Sequence, residues 1–384
     1  MTDQSTSPSL TARMAAYATA LRERGAIRTT PVERAFATVP RHLFLPGGYY
    51  TSGRFVPVPA EPAGDLLDRI YSDTALMTHV PKSSDAAGRY SSTSQPRVIA
   101  AMLEALQLTP GMKVLEIGAG TGYNASLIAA ITGAEVITID VSEVIVTEAA
   151  QAAERAGEKN VTALTADGYL GHPAKGPYDR IVVTCGVTGI SPHWLDQLTD
   201  DGLIVVPVAH GGFHPTLTVH RDGQRLTGRG VMSSDFMAAT GPLYAWPDGQ
   251  TPALTEPLPA QDLVTRTNTG PVLDGDAYYD LWFHLGAQTG RTTRAYINGL
   301  DPAQGMACLH DPSRGTAWIQ RTGHLHHVGD TAIADDLTTL VQQWTDLGRP
   351  AIADYRTVFE RTEADEPVYH PVEWRLNDHC PKHA

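Results

Sequence analysis

A chain of 384 residues, 42% apolar and 18% charged, is long enough for two domains and has the composition of a folded globular protein, which excludes intrinsic disorder. The net charge of −13 is uneven: residues 1–100 carry 11 Lys and Arg against 8 Asp and Glu, the remainder 18 against 34. An acidic body disfavours nucleic acid and anionic membranes as partners, and places any anionic substrate near the N-terminal segment.

No apolar run approaches the ~20 residues of a membrane span, and the first residues show no basic stretch followed by an apolar core. Three cysteines (Cys185, Cys308, Cys380) are odd in number and far apart, as expected of reduced thiols in a cytoplasmic protein. In chain order, "SLTARMAAYATALRERG" (9–25) has helical apolar spacing and stops at Gly25. "TTPVERAF" predicts a capping box, with Thr30 as N-cap, Pro31 at the first helical position and Glu33 at the third. Residues 46–92, rich in Gly, Pro, Ser and Tyr, are expected to be irregular. Four hydroxyls, Ser91, Ser92, Thr93 and Ser94, then precede a helix running to about Leu106.

From residue 111 strands at 113–117, 135–140, 161–165, 179–184 and 202–208 alternate with helices at about 122–132, 142–156 and 192–199. Runs such as "RIVVT" and "LIVVPV" have continuous apolar centres, as expected of strands covered on both faces. The expectation is an α/β fold: a doubly wound, mostly parallel Rossmann-like sheet. "TLTVHR" (216–221) would add a late strand. The predicted organisation is an N-terminal helical and substrate-loop segment (1–110), a nucleotide-binding core (111–240), a Pro- and Gly-rich linker (241–263) and an α+β extension (264–384). In that extension, 332–348 reads as an amphipathic helix and "IADYRTVFERT" as a last strand.

The fingerprint is "LEIGAGTGY", with Gly118, Gly120 and Gly122 between a strand and a helix, where a ligand can approach the backbone closely. Glu116 stands two residues before the first glycine, placed to meet a cationic amino group. Asp140, followed by Val141, ends the second strand, where an acid takes ribose hydroxyls. Asp167-Gly168 follows the third strand, where a carboxylate can accept from an adenine amino group. NAD is the competing ligand, but Tyr123 breaks its GxGxxG spacing, and an acid in the loop would repel a pyrophosphate. S-adenosylmethionine (SAM), a sulfonium with an amino acid tail and no phosphate, suits this acidic loop better. Taken singly, each acid is more often a turn or cap residue.

"VLEIGAGTGY", "ADGYLG", "GPYDRIVVTCG" and "QLTDDGLIVVPV", together with "VPRHLFLP" and "TSQPRVIAAMLEAL" upstream, resemble the motifs of protein-L-isoaspartate O-methyltransferases over about residues 15–220. The resemblance implies a SAM-dependent carboxyl O-methyltransferase acting on a peptide or protein that bears Asp or isoaspartate. It implies that the active-site serine of the family's Ile-Ser-x-Pro motif falls on Ser94, with Thr93 in place of Ile and Pro96 retained. Cofactor contacts carry over to Ser91–Ser94, Glu116, Asp140 and Asp167-Gly168. Two departures stand out: the loop reads YSSTS where the family has a sequence like GQTIS, and the chain continues well past the sheet. Long homologues with "YSDTAL" and "SSTSQP" resemble enzymes that methylate an ordinary Asp of ribosomally made peptides such as lanthipeptides, whose ester collapses to a succinimide (aspartimide). That is the principal functional expectation, with L-isoaspartyl repair as the alternative and a non-catalytic SAM-fold peptide-binding protein as a reading of another class.

A carboxylate with a pKa near 3.9 is already ionised at neutral pH, so methyl transfer to it requires orientation and desolvation rather than a strong base. Hydroxyls orient a carboxylate without a counter-charge that would quench it, which is the role expected of Ser94; on the residues alone Ser94 is equally a helix N-cap. His324 and His326 share one face of a predicted strand, and His379, Cys380 and His383 lie near the C-terminus, but their spacings match no standard zinc pattern and no metal is expected. Cys185 reads as a small buried thiol, and Tyr49, Tyr50 and Tyr90 as peptide-contacting or packing residues.

Overall fold

Strands without polar alternation must be covered on both faces, and this requirement explains the centre of the first of two units into which the chain divides, residues 1–185 with 193–205. The computed structural model describes residues 9–45, 47–80, 90–223, 225–246, 252–260, 262–267 and 269–377. The first unit opens with α1 (Leu10–Glu23), α2 (Thr30–Thr38), β1 (Gly48–Thr51), β2 (Arg54–Pro57), α3 (Asp65–Ile70), β3 (Leu76–His79), β4 (Ser91–Thr93) and α4 (Pro96–Ala105). The alternating part follows: β5 (Val114–Ile117), α5 (Tyr123–Thr132), β6 (Val136–Asp140), α6 (Glu143–Arg155), β7 (Val161–Thr165), β8 (Tyr178–Val183), α7 (Pro192–Asp196) and β9 (Leu198–Pro207).

Strands β9, β8, β5, β6 and β7 lie side by side in that order, all parallel, with Leu115 level with Ile137 of β6 and Ile181 of β8. Val114, Leu115, Ile137, Ile139, Ile181 and Val182 are buried, so the doubly wound parallel sheet expected from the apolar runs is present. The stretch 46–92 departs from expectation. Its described residues, together with Thr93, build a four-stranded sheet in the order β2-β1-β3-β4, whose strands are only three or four residues long and in which β1 meets β3 at a single pair, Tyr50 with Met77. Strands that short leave too few residues for a period of two to show.

The capping box at Thr30 is also corrected. The N-cap of α2 is Thr29, whose side chain makes no cap bond, and Glu33 pairs with Arg22 at 2.8 Å. Buried Glu104 of α4 does the capping work from a distance: its Oε1 accepts the N–H groups of Arg28 and Thr29, both at 2.8 Å, and the Thr29 hydroxyl at 3.1 Å.

The second unit comprises residues 186–192 and 206–384. It holds β10 (Thr216–Asp222), β11 (Arg225–Met232), β12 (Val264–Arg266), α8 (Gly275–Gln288), β13 (Thr292–Arg294), β14 (Ala307–Asp311), β15 (Gly315–Ile319), β16 (Leu325–Gly329), α9 (Thr331–Asp346), β17 (Tyr355–Arg361) and β18 (Tyr369–Leu376). The division falls elsewhere than the linker expected at 241–263, because β11 pairs with β17 across more than a hundred residues, Thr227 opposite Val358. Residues 216–232 therefore belong with the C-terminal part, as an antiparallel hairpin. A separate antiparallel sheet, β12-β16-β15-β14-β13, shares an apolar core with α8 and α9 that includes Phe283, Leu309, Leu337 and Trp344. Among the described residues no helix is long and apolar enough to cross a membrane.

Candidate active site

Strand order reverses at β5: its successor β6 lies on one side, and β8 on the other. A crevice opens at such a switch point, at the carboxyl ends of the strands, and the glycine loop enters it. Gly118, Gly120 and Gly122 have φ of 100°, 50° and 80°, values that L side chains rarely adopt. A Cβ on Gly118 would lie 2.6 Å from Thr184 Oγ1, the hydroxyl that donates to the Gly118 carbonyl from the end of β8. A Cβ on Gly122 would lie 2.9 Å from the Ala149 carbonyl of α6. At Gly120 the neighbour is the Ser92 carbonyl, 3.4 Å from the same imaginary atom. The hydroxyl strand β4 thus lies against the glycine loop, an adjacency the sequence suggests only as proximity along the chain.

Glu116, 1% exposed, is the penultimate residue of β5, just before the loop. Its Oε1 accepts from Asn124 Nδ2 at 2.7 Å and its Oε2 from Thr138 Oγ1 at 2.6 Å. Burial pushes its carboxyl up to about 7, against the pull of those two bonds and with some help from nearby Asp140. Asn124 and Thr138 were not singled out in the sequence, although Thr138, a lone polar residue inside the strand "VITID" and level with Glu116 on β5, is the signal that could have found it. Asp140 ends β6 with Oδ1 accepting the Ser142 N–H at 2.9 Å, and Val141 beside it leaves an apolar side chain 47% exposed. Asp167 is exposed after β7, its Oδ1 accepting the Tyr169 N–H at 2.9 Å, and the Gly168 carbonyl accepts from Trp194 Nε1 at 2.8 Å. A cleft of about 520 Å³ lies beside Asp167, walled by Leu170, Pro173 and His193 among others.

In β4, Ser91 and Thr93 are buried, Ser92 and the following Ser94 half-buried. Thr93 Oγ1 has no hydrogen-bond partner among the described residues. The N-cap alternative for Ser94 is corrected: Gln95 occupies the cap position, without a side-chain cap bond, and helix α4 begins at Pro96. The first-turn N–H of Arg97 goes instead to Asp73 Oδ1 at 2.9 Å, while Gln95 Nε2 reaches the Asp73 carbonyl at 3.2 Å. The Ser94 carbonyl accepts from Arg41, a residue the sequence analysis did not single out.

Cys185 follows β8 with its thiol pushed up to about 12 by burial, which makes it a poor nucleophile at neutral pH. His326 is buried and its Nδ1 lies 2.9 Å from Thr265 Oγ1, with the His324 ring 6.4 Å away. Among the described residues no three metal-ligating side chains converge. His379, Cys380 and His383 lie outside the described residues. Tyr49 is buried, Tyr50 packs against Phe55, and Tyr90 is exposed.

The donors present suit SAM. A buried carboxylate whose ionised form lacks a cation, a loop with no Cβ atoms, an acid at each of three neighbouring strand ends and an exposed valine beside the second match an ammonium, an adenine face and ribose hydroxyls. A Rossmann-type parallel sheet carrying this crevice defines a SAM-dependent methyltransferase. The family model described as "Protein-L-isoaspartate(D-aspartate) O-methyltransferase (PCMT)" matches residues 64–243. The protein-L-isoaspartate O-methyltransferase of Pyrococcus horikoshii is 36% identical over 195 residues, 50% of this chain and 76% of that protein. The enzyme of that name from Methanoregula boonei is 34% identical over 221 residues, 57% of this chain and 88% of its own length. The chain belongs to the protein-L-isoaspartate O-methyltransferase family. In fold, it is similar to a solved structure titled protein-L-isoaspartate O-methyltransferase, with a TM-score of 0.53 and 23% identity over 93% of this chain and 98% of the other.

Proposed function

We propose that the protein methylates the free α-carboxylate of an L-isoaspartyl residue in a peptide or protein substrate. The observation that carries this reading is the approach of Ser92 to Gly120, which sets a strand of hydroxyls beside the loop that would hold the cofactor. SAM supplies an electrophilic methyl group on a sulfonium. The protein's share is to hold a carboxylate oxygen in line with that methyl and keep water away. Glu116 would meet the amino group of the cofactor, Asp140 its ribose, Asp167 the adenine amino group, and Val141 one adenine face. Ser91, Ser92 and Thr93 would close over the cofactor, and Ser94 would donate its hydroxyl to one carboxylate oxygen, leaving the other as nucleophile. No residue need remove a proton, because the carboxylate is already ionised.

The relatives' names support the isoaspartyl substrate ahead of the principal expectation from the sequence, an ordinary Asp of a ribosomally made peptide. The altered loop YSSTS, with Thr93 where the family has Ile, favours that second reading, since it changes the residues beside the substrate carboxylate. Two synthetic peptides that differ only in one Asp or isoAsp linkage separate them. The isoaspartyl reading predicts a much higher kcat/KM on the isoAsp peptide; preference for the Asp peptide supports the second reading, and methylation of neither contradicts both.

A further inference from the structure

Arg41 is fully buried, and its two terminal nitrogens donate to four main-chain carbonyls. Nη1 donates to Ile70 O at 2.7 Å and Ser72 O at 3.0 Å; Nη2 donates to Thr74 O at 2.8 Å and Ser94 O at 3.2 Å. Three of these acceptors lie on the turn that leaves α3, whose last carbonyls lack partners within the helix. The fourth is the carbonyl of the residue assigned to orient the substrate. The same turn grips the other side of Ser94 through Asp73, which takes the Arg97 N–H at 2.9 Å and the Gln95 side chain. Residues 70–74 therefore form a clasp, with Arg41 on its carbonyls and α4 on its carboxylate, and Ser94 is fastened between the two.

A buried guanidinium bound to neutral carbonyls is an expensive way to hold a turn, because its charge has left water without a carboxylate in exchange. Its planar fork can serve four acceptors spread over two segments, which a lysine ammonium cannot match. We propose that Arg41 is a positioning residue for methyl transfer: by fixing the Ser94 backbone to the 70–74 turn it sets the direction of the Ser94 hydroxyl. This rests on the carboxylate-orienting role of Ser94. A hydroxyl displaced by an ångström would lose most of its value, an effect of about 10- to 100-fold on turnover.

The test compares Arg41→Lys, Ser94→Ala and the double variant in the full chain, measuring kcat and KM on an isoAsp peptide, SAM affinity by calorimetry, and thermal melting. The expected result is a kcat lowered about 10- to 100-fold in Arg41→Lys, SAM affinity within about twofold of wild type, and a double variant no slower than the slower single one, since both remove the same interaction. Should Arg41→Lys not fold, Arg41→Gln, whose amide still donates to two carbonyls, takes its place in the same cycle. Wild-type kcat in the Arg41 variant, or losses that multiply in the double variant, would overturn the positioning role while leaving Ser94 in place. Full activity of Ser94→Ala alone would instead remove the orienting role of Ser94, and the role of Arg41 with it.

Discussion

Glu116→Gln is expected to stabilise the protein without cofactor while weakening its hold on SAM. In the folded chain the Glu116 carboxyl is raised from its ordinary 4.5 to about 7, chiefly by burial. A carboxyl raised by folding contributes fully below pH 4.5 and loses that contribution as pH rises through about 7. The shift corresponds to about 3 kcal/mol of lost stability at pH 8 and to about 1 kcal/mol or less at pH 5. Glutamine has nearly the same shape and stays neutral. Its amide oxygen can accept from Asn124, and its amide nitrogen can donate to the Thr138 hydroxyl, which is able to turn. The apo variant should therefore melt above wild type at pH 8 and close to it at pH 5. Adding SAM should reverse the order at pH 8, because only the carboxylate gains a cationic partner. Calorimetry should show wild-type affinity for SAM rising with pH through about 7 and proton release on binding, both absent in the variant. A variant that is no more stable than wild type at pH 8, or that binds SAM equally well, would refute the placing of a cation at Glu116.

Asp140→Ala should leave the protein folded with a modestly lowered melting temperature, since the Ser142 N–H loses its acceptor, and weaken SAM by about 1.5–3 kcal/mol, roughly 10- to 100-fold in Kd, the worth of hydrogen bonds to a charged acceptor; titration calorimetry reads it directly. Ser94→Ala should lower kcat at least about tenfold without the ~1 kcal/mol stability loss of a removed helix cap, since Gln95 and Asp73 occupy that end of α4; turnover and melting on one sample check both halves. Glu104→Ala should do the opposite. Two main-chain N–H groups lose their acceptor, stability falls by about 1–3 kcal/mol, and SAM affinity in the surviving folded protein is unchanged.

What could be read from the sequence is what depends on neighbours along the chain. The parallel strands announce themselves through uninterrupted apolar runs such as residues 181–183 at the end of β8, and the glycine loop because its turn needs three positive-φ positions within five residues. The acids at the strand ends follow from the same geometry. Interactions between distant segments were not legible. Glu104 caps a helix 75 residues away, Asp73 replaces the cap that Ser94 was offered for, and Arg41 reaches both the 70–74 turn and Ser94, none of which leaves a periodic trace. The pairing of β11 with β17 moved the division of the chain, because strand partners more than a hundred residues apart carry no local signal. The hydroxyl run is chemically conspicuous in the sequence; its place against Gly120 emerges only once β4 is folded beside the loop.

The reaction proposed for this site converts a substrate carboxylate into a methyl ester. It is tested most directly by incubating the full chain and SAM with a peptide bearing one isoaspartyl residue, then locating the modification by tandem mass spectrometry. Expected is a gain of one methyl on the free α-carboxylate of the isoaspartyl residue, followed by loss of methanol as the ester closes to a succinimide, with about tenfold or more less of either product in the Ser94→Ala variant at equal times. A methyl group found on nitrogen, on a hydroxyl or on another residue, or a peptide left unmodified by protein that demonstrably binds SAM, would contradict it.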